Sequence, residues 1–203
     1  MGELILVRHG ETEWSVSGQH TSYTDMPLTA RGEEQARGLA PLLAEFTVAL
    51  VLTSPLARAV RTAELAGLAG LAPTTVDPDL HEWDYGGYEG VTTDEIHRTR
   101  PEWNLWTDGV AAAPGHPGES PEEVGDRADR VLARVDAAFR DLGGDGDGDI
   151  VLVAHAHFLR VLTARRLGLP AADGALFQLA TGTVSRIGSE HGRPVLVSWN
   201  RMP

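Results

Sequence analysis

The sequence predicts an α/β fold, a three-layer sandwich in which a mostly parallel central sheet is flanked by helices. Short apolar runs at residues 4–7, 48–54 and 149–155 alternate with longer amphipathic segments, as in strand–helix–strand units. The chain has 203 residues, 42% of them apolar, which is enough to bury one sizeable core. No internal repeat or linker divides it, so we expect a single domain over residues 1–203.

The first half of the chain contains two predicted strand–helix pairs. Leu4–Val7 is the first strand, and Thr29–Phe46 is a helix for which the Thr29 hydroxyl is a suitable N-cap. Val48–Ser54 is predicted to be a second buried strand because it is a short, almost continuous apolar run. A second helix is predicted over Leu56–Leu68, so both strands are followed by a helix.

The second half contains the longest predicted helix, Ser120–Leu142, whose start is marked by a capping box of Ser120 and Glu123. Asp149–His155 is a third apolar strand, and a helix follows over about 158–167. The chain ends in a predicted pair of strands around a turn at 191–193. This order of elements completes the alternation on which the fold class depends.

Two stretches are less regular. Residues 74–80 are predicted to be extended without a regular partner, and about 85–118 is predicted to be an irregular insertion over one edge of the sheet. We expect Trp103 and Trp106 to pack this insertion; the alternative is that they and His116 shape a ligand pocket.

Residues 145–150 resemble a calcium loop, but they lack the glycine and glutamate that an EF-hand requires, so we expect no metal there.

Composition excludes several classes of function. A net charge of -12 makes nucleic acid and anionic membrane poor partners. The chain has no cysteine and no lysine, which removes thiolate chemistry and Schiff-base catalysis and leaves arginine to bind anions. No run of 18 apolar residues and no signal peptide is recognisable, so a cytoplasmic protein is expected.

Cationic and titratable side chains follow the predicted strands. Arg8 and His9 come directly after the first strand, Arg58 lies in the helix behind the second, and His155 and His157 follow the third. Open α/β sheets bind ligands at the carboxyl ends of their strands, so we expect these side chains to meet. In an acidic protein, this local cluster of cations predicts a pocket for a phosphate group.

A carboxyl group completes the candidate site. Glu82 lies in the loop Leu80–Gly90, which is rich in glycine and aromatic residues, including Tyr85. Such surroundings favour a partly desolvated carboxyl group that can give and take a proton.

Four segments in this order resemble the histidine phosphatase superfamily, also called phosphoglycerate-mutase-like. They are Arg-His-Gly at residues 8–10, the pattern Ser-Pro-x-x-Arg-Ala-x-x-Thr-Ala at 54–63, Glu-x-x-Tyr-Gly at 82–86, and a histidine after an apolar strand at 155. Together the segments span most of the chain. The resemblance implies a phosphoglycerate-mutase-like α/β sandwich.

The resemblance also implies catalytic roles. His9 would attack phosphorus and become a phosphohistidine, while Arg8, Arg58 and His155 would hold the phosphate oxygens. Glu82 would protonate the leaving oxygen and then activate water, and no metal or other cofactor would be needed. Substrate-binding positions follow from the same comparison: Ser15, Thr21, Ser22, Tyr85 and His157.

Hydrolysis of the phosphate ester is favoured over mutase activity, in which a phosphoryl group moves between two positions of one substrate. Mutases of the superfamily resemble this chain less, because they carry a lysine where Thr93 stands and an arginine pair that 101–109 lacks. The chain also resembles one branch of the superfamily, that of sedoheptulose-1,7-bisphosphatase-like enzymes and bacterial acid phosphatases, which implies a phosphorylated sugar or another small phosphorylated metabolite as the partner. The alternatives are a cofactor-dependent phosphoglycerate mutase and a non-catalytic module that binds phosphate esters. Whether the protein forms a homodimer is left open.

Overall fold

A six-stranded sheet forms the centre of the computed structural model, which describes residues 2–143 and 148–203. Residues 145–147 of the segment compared with a calcium loop lie outside the described residues. The order of strands across the sheet is β3-β2-β4-β1-β5-β6. The strands are β1 (Leu4–Arg8), β2 (Val48–Thr53), β3 (Thr74–Val76), β4 (Asp149–Ala154), β5 (Thr183–Glu190) and β6 (Arg193–Arg201).

The sheet is mostly parallel, as the sequence predicts. β1 and β2 both pair with β4 in parallel, and β3 pairs with β2 in parallel. β5 runs antiparallel to β1, and β6 antiparallel to β5. The loop between β5 and β6 has two residues, His191 and Gly192, both with positive φ, which is the conformation that a tight hairpin of twisted strands requires.

Helices cover both faces of the sheet. The α-helices are α1 (Glu13–Ser17), α2 (Ala30–Leu43), α3 (Ala57–Leu65), α4 (Thr93–His97), α5 (Leu105–Asp108), α6 (Pro121–Asp141) and α7 (Ala156–Arg166). α6 and α7 pack on one face, and α2 and α3 on the other. The predicted α/β sandwich is therefore confirmed. Within the part of the chain that the structure describes, no helix is both long enough and apolar enough to cross a bilayer.

The central strands are buried on both faces because their side chains alternate between two cores. In β1, Leu4 and Leu6 join the core under α6 and α7, whereas Ile5 and Val7 join the core under α2 and α3. The continuous apolar run of this strand is thus explained by burial on both sides. Its polar continuation, Arg8, is delivered to the carboxyl edge of the sheet.

Some boundaries differ from the predicted ones. α2 ends at Leu43, three residues early, and residues 74–76 form the edge strand β3 by pairing with β2. α7 begins at Ala156, two residues before the predicted start. The reason is that a carboxylate distant in the sequence, Glu82, accepts hydrogen bonds from the first N–H groups of this helix.

The inserted segment is held by short elements. It contains α4, α5 and a 3₁₀ turn at Gly86–Tyr88, and its buried side chains Ile96, Trp103 and Leu105 belong to the core under α6 and α7. Chain organisation as a single domain with an insertion at about 85–118 stays a prediction.

Close packing at the start of α2 gives a stability test. A methyl group on Gly32 would overlap the backbone of Glu11, two residues after His9, so we expect Gly32→Ala to lower the free energy of unfolding by about 1–3 kcal/mol. Gly70→Ala is the control, because a methyl group there meets nothing within 4 Å and Gly70 lacks a positive φ. Urea unfolding measures both, and equal stability of the two variants would contradict the packing argument.

Candidate active site

A cavity of about 210 Å³ lies at the carboxyl ends of β1 and β4. Arg8 and His9 line it from the end of β1, and Ala156 and His157 line it from the start of α7. Glu82 lines it from the loop before the inserted segment. Three of the five predicted catalytic side chains, those of Arg8, His9 and Glu82, therefore face one cavity.

His9 is buried with one defined tautomer. Its Nδ1 lies 2.7 Å from the carbonyl oxygen of Gly10, and a carbonyl only accepts, so Nδ1 carries the proton. The lone pair is therefore on Nε2. Burial and the positive charges of Arg58 and Arg8 hold the pKa of His9 well below its usual value. The imidazole is thus neutral at neutral pH, the form in which it is a nucleophile.

Arg8 is the cation beside His9. It lines the cavity, and its Nη1 donates a hydrogen bond of 2.6 Å to the carbonyl oxygen of Leu179. Burial lowers the pKa of Arg8 to about 10, against the opposing effect of Glu82, so the guanidinium stays charged at neutral pH. Its Nε is buried without a hydrogen-bond partner among the described residues.

Arg58 and His155 form a buried array behind His9. The ring centroids of His9 and His155 are 5.0 Å apart. Arg58 Nε donates to His155 Nδ1 over 3.2 Å, so the proton of this neutral ring is on Nε2, which lies 2.7 Å from Ser54 Oγ. Burial and the charge of Arg58 hold the pKa of His155 well below its usual value.

The remaining donors of Arg58 are directed to a loop. Its terminal nitrogens donate to the backbone carbonyls of Thr21, Ser22 and Thr24 at 3.0–3.3 Å. Neither Arg58 nor His155 lines the cavity. Their predicted contact with phosphate oxygens stays a prediction, because in this arrangement their donors are taken by protein groups.

Glu82 is held by three backbone N–H groups. Its Oε1 accepts from Trp83 (2.9 Å) and Phe158 (2.8 Å), and its Oε2 accepts from His157 (3.1 Å). Two of these donors belong to the first turn of α7, where the helix dipole favours negative charge. Oε1 accepts two hydrogen bonds and Oε2 accepts one, so Oε2 is the oxygen with a lone pair left for a further donor.

A buried ion pair supports the loop that carries Glu82, and the sequence pattern did not reveal it. Arg127 of α6 donates to the carboxylate of Glu119 at 2.7 and 2.9 Å, and also to the carbonyls of Asp79 and His81. Burial by itself would raise the pKa of Glu119, but the bonds from Arg127 outweigh it, and this pKa lies below its usual value. Only tertiary structure brings Arg127 to residues 79–82.

The predicted substrate-binding residues have different positions. Ser15, Thr21, Tyr85 and His157 line the cavity, whereas Ser22 is buried away from it and donates its N–H to the Glu89 carboxylate. Two of the hydroxyl groups bond to nearby carbonyls: that of Ser15 to Thr12, and that of Thr21 to Gln19.

Tyr85 and His157 are joined by a hydrogen bond of 2.6 Å between the hydroxyl and Nδ1. Burial and nearby Glu82 raise the pKa of Tyr85 well above its usual value, so the phenol stays protonated. Burial and the charge of Arg160 lower the pKa of His157. The pair is therefore a neutral wall of the cavity.

An adjoining cavity of about 280 Å³ shares three lining residues with the first, His20, Thr93 and His157. Trp103 and Trp106 line it too, so these tryptophans both pack the insertion and border a pocket. His116 lies elsewhere: it borders a separate cavity beside Tyr23. His20 was not among the predicted site residues, although it directly precedes the predicted loop residues.

Three further observations concern predicted features. Ala156 is the first residue of α7 and is not among the residues with positive φ, so its place in the chain does not require glycine. Arg61 pairs with Glu33 and Glu64 on the surface, in keeping with a structural role. In residues 2–143 and 148–203, no group of three or more His, Asp or Glu side chains could hold a metal ion.

The pair of buried Arg127 with half-buried Glu119 predicts a large loss of stability when Arg127 is replaced. Arg127→Met leaves the Glu119 carboxylate without its ionic partner and the carbonyls of Asp79 and His81 without a donor, so we expect the free energy of unfolding to fall by about 3 kcal/mol. Arg130 lies on the same helix as Arg127, and Arg130→Met, which breaks an exposed pair with Asp79, should cost about 1 kcal/mol or less. Similar losses in the two variants, measured by urea unfolding, would contradict this account.

The same ion pair predicts part of the loss of folding stability at acid pH. Because the pKa of Glu119 is lowered on folding, its contribution to stability is present above the unfolded pKa of about 4.3 and is lost as pH falls through the folded value. We expect the double variant Arg127→Met/Glu119→Gln to lose less stability than the wild type over that acid range. Urea midpoints measured at successive pH values test this; parallel curves would refute it.

Comparison with known proteins agrees with the arrangement. A family model described as the histidine phosphatase superfamily (branch 1) matches residues 4–202. An acid phosphatase of Mycobacterium tuberculosis is 40% identical over 191 residues, which is 93% of this chain and 87% of that protein. A sedoheptulose 1,7-bisphosphatase of Saccharomyces cerevisiae is 37% identical over 188 residues, which is 81% of this chain and 67% of that protein.

A relative with a different name and a solved structure complete the comparison. A probable phosphoglycerate mutase of Serratia proteamaculans is 32% identical over 200 residues, which is 98% of this chain and 90% of that protein. The solved structure of an open reading frame product of Mycobacterium tuberculosis has a TM-score of 0.88 at 37% identity, covering 99% of this chain and 98% of that one. From its first strand to its last, the chain therefore belongs to branch 1 of the histidine phosphatase superfamily.

Proposed function

We propose that the protein is a metal-independent phosphatase that hydrolyses phosphate monoesters of small metabolites, with sugar phosphates as the substrate class. The observation that carries the proposal is the locked tautomer of His9: a buried, neutral imidazole with its lone pair on Nε2, in a cavity shared with Arg8 and Glu82. A nucleophile, an anion-binding cation and a carboxyl group are the parts that phosphate transfer to a histidine requires.

In the first proposed step, His9 Nε2 attacks phosphorus in line with the ester bond. The N–P bond forms as the bond from phosphorus to the leaving oxygen breaks, and protonated Glu82 gives its proton to that oxygen. Arg8 neutralises charge on the transferring group. The hydrogen bond from Nδ1 to Gly10 stabilises the positive charge that develops on the ring.

In the second step, Glu82 takes a proton from water, and the resulting nucleophile attacks the phosphohistidine. The P–N bond breaks, and inorganic phosphate and neutral His9 are released. We assign Arg58 an electrostatic role from behind the ring, since its buried charge contributes to the lowered pKa of His9. His155 keeps Arg58 in place through the Nε–Nδ1 bond.

Hydrolysis is favoured over the mutase alternative by the cavity lining. Among the described residues that line the two adjoining cavities, Arg8 is the one guanidinium, and Thr93 presents a neutral hydroxyl. A mutase must hold its phosphorylated intermediate while the intermediate reorients, and a second cation would help to retain it. The relatives named as an acid phosphatase and a bisphosphatase support the same choice.

The first test is phosphate release with EDTA present. We expect the wild type to hydrolyse p-nitrophenyl phosphate and sugar phosphates and to yield an acid-labile phosphoenzyme on quenching. His9→Gln should lose both, because an amide cannot replace the nucleophile. Conversion of 3-phosphoglycerate to 2-phosphoglycerate with little hydrolysis would establish the mutase alternative. Ester binding without turnover in the wild type would establish a non-catalytic module.

The second test concerns the proton on the leaving group. Glu82→Gln should lower kcat on alkyl phosphates by about 10²–10⁴-fold, and by less on p-nitrophenyl phosphate, whose leaving group needs little protonation. A purely structural effect would lower both rates equally. Comparison of kcat for the two substrate types, with urea unfolding as a check on folding, separates these outcomes.

A further inference from the structure

The adjoining cavity is the space beside the reacting phosphate that a leaving group can enter. On the proposed mechanism phosphorus lies beside His9 Nε2 in the first cavity, and the two cavities share the lining residues His20, Thr93 and His157. With volumes of about 210 and 280 Å³, they are together of the size usual for a small-molecule site, about 300–1,000 Å³. The chemistry of the adjoining cavity therefore selects the alcohol part of the ester.

Two histidines that line this cavity each bind a backbone carbonyl through one ring nitrogen. His20 Nδ1 lies 2.6 Å from the carbonyl oxygen of Val91, and His97 Nε2 lies 2.9 Å from that of Trp103. Because carbonyls only accept, both of these nitrogens carry a proton, and in the neutral ring of His20 the lone pair is therefore on Nε2. Burial lowers the pKa of His20, which keeps the ring neutral. Acceptor nitrogens match hydroxyl groups and oppose carboxylate or phosphate oxygens.

Among the described residues, no arginine side chain lines the adjoining cavity. Arg8 is the one guanidinium that lines either cavity, and it borders the first. Arg160 lies 4.5 Å from the ring centre of Trp106, and its nitrogens donate to the carbonyls of Gly174 and Ala175. A second phosphate or a carboxylate would therefore be desolvated without an ionic partner, which is costly.

The rest of the lining suits a sugar. Trp103 and Trp106 provide aromatic surface against which the C–H face of a ring or polyol can pack. Thr93 and Asn104 add neutral polar groups. Resting on the proposed phosphatase function, we propose that the adjoining cavity selects an uncharged, hydroxyl-bearing leaving group, so that the enzyme prefers sugar and polyol monophosphates to bisphosphates and phosphorylated carboxylic acids. This preference separates the chain from its yeast relative, which is named as a bisphosphatase.

Matched substrate pairs test the proposal. Glycerol 3-phosphate is compared with 3-phosphoglycerate, glucitol 6-phosphate with 6-phosphogluconate, and fructose 6-phosphate with fructose 1,6-bisphosphate. Each pair differs chiefly in one anionic group. We expect kcat/KM to be at least about tenfold higher for the uncharged member of each pair, because the cavity opposes the added charge. p-Nitrophenyl phosphate serves as the reference substrate.

A variant with an added cation identifies the cavity as the cause. Thr93 is exposed at the first position of α4 and borders both cavities. Thr93→Lys should raise kcat/KM for the anionic member of each pair relative to the uncharged member by roughly tenfold. Thr93→Met, of similar length and no charge, should leave the ratio near that of the wild type.

The outcomes are distinguishable. If p-nitrophenyl phosphate is hydrolysed but the anionic members are preferred, or if the lysine variant does not change the ratio, the inference is overturned and the phosphatase function stands. If no ester is hydrolysed, including p-nitrophenyl phosphate, the proposed function fails and the inference fails with it.

Discussion

The carboxylate of Glu82 at the N-terminus of α7 joins the parts on which the site depends. One side chain accepts hydrogen bonds from its own loop, at Trp83, and from the first turn of a helix 75 residues further along, at His157 and Phe158. The loop and the helix therefore cannot shift independently. Because His155 immediately precedes α7, the same bonds also fix the position of that ring behind His9. A side chain at residue 82 that lacks an acceptor oxygen would leave N–H groups of the helix unpaired at a buried position.

Electrostatics in the site differ from those of the chain as a whole. The molecule carries a net charge of -12, yet the carboxyl edge of its sheet holds the half-buried Arg8 and the buried Arg58 beside neutral imidazoles. Burial lowers the pKa of each of these groups, and the nearby arginine charges lower those of His9 and His155 further. The imidazoles are therefore kept neutral where cations are concentrated. This is the condition that a nucleophilic histidine requires close to an anion-binding site.

Local patterns predicted the parts of the molecule that depend on neighbours in the sequence. The buried strands follow from apolar runs, and the start of α6 follows from its capping box of Ser120 and Glu123. The start of α7 could not be predicted in this way, because its capping carboxylate is 74 residues before Ala156 in the sequence. Tertiary contacts also explain why Arg127 was missed and why Ser22 faces Glu89 rather than the cavity.

The donors of Arg58 connect the ring of His155 to the loop that borders the cavity. They bind His155 on one side and the carbonyls of Thr21, Ser22 and Thr24 on the other. A turn of this guanidinium toward a bound anion would release those carbonyls, so anion affinity and loop mobility are thermodynamically linked. In the proposed phosphatase, reciprocity would then require that any change which loosens residues 21–24 also alters how strongly the site holds phosphate.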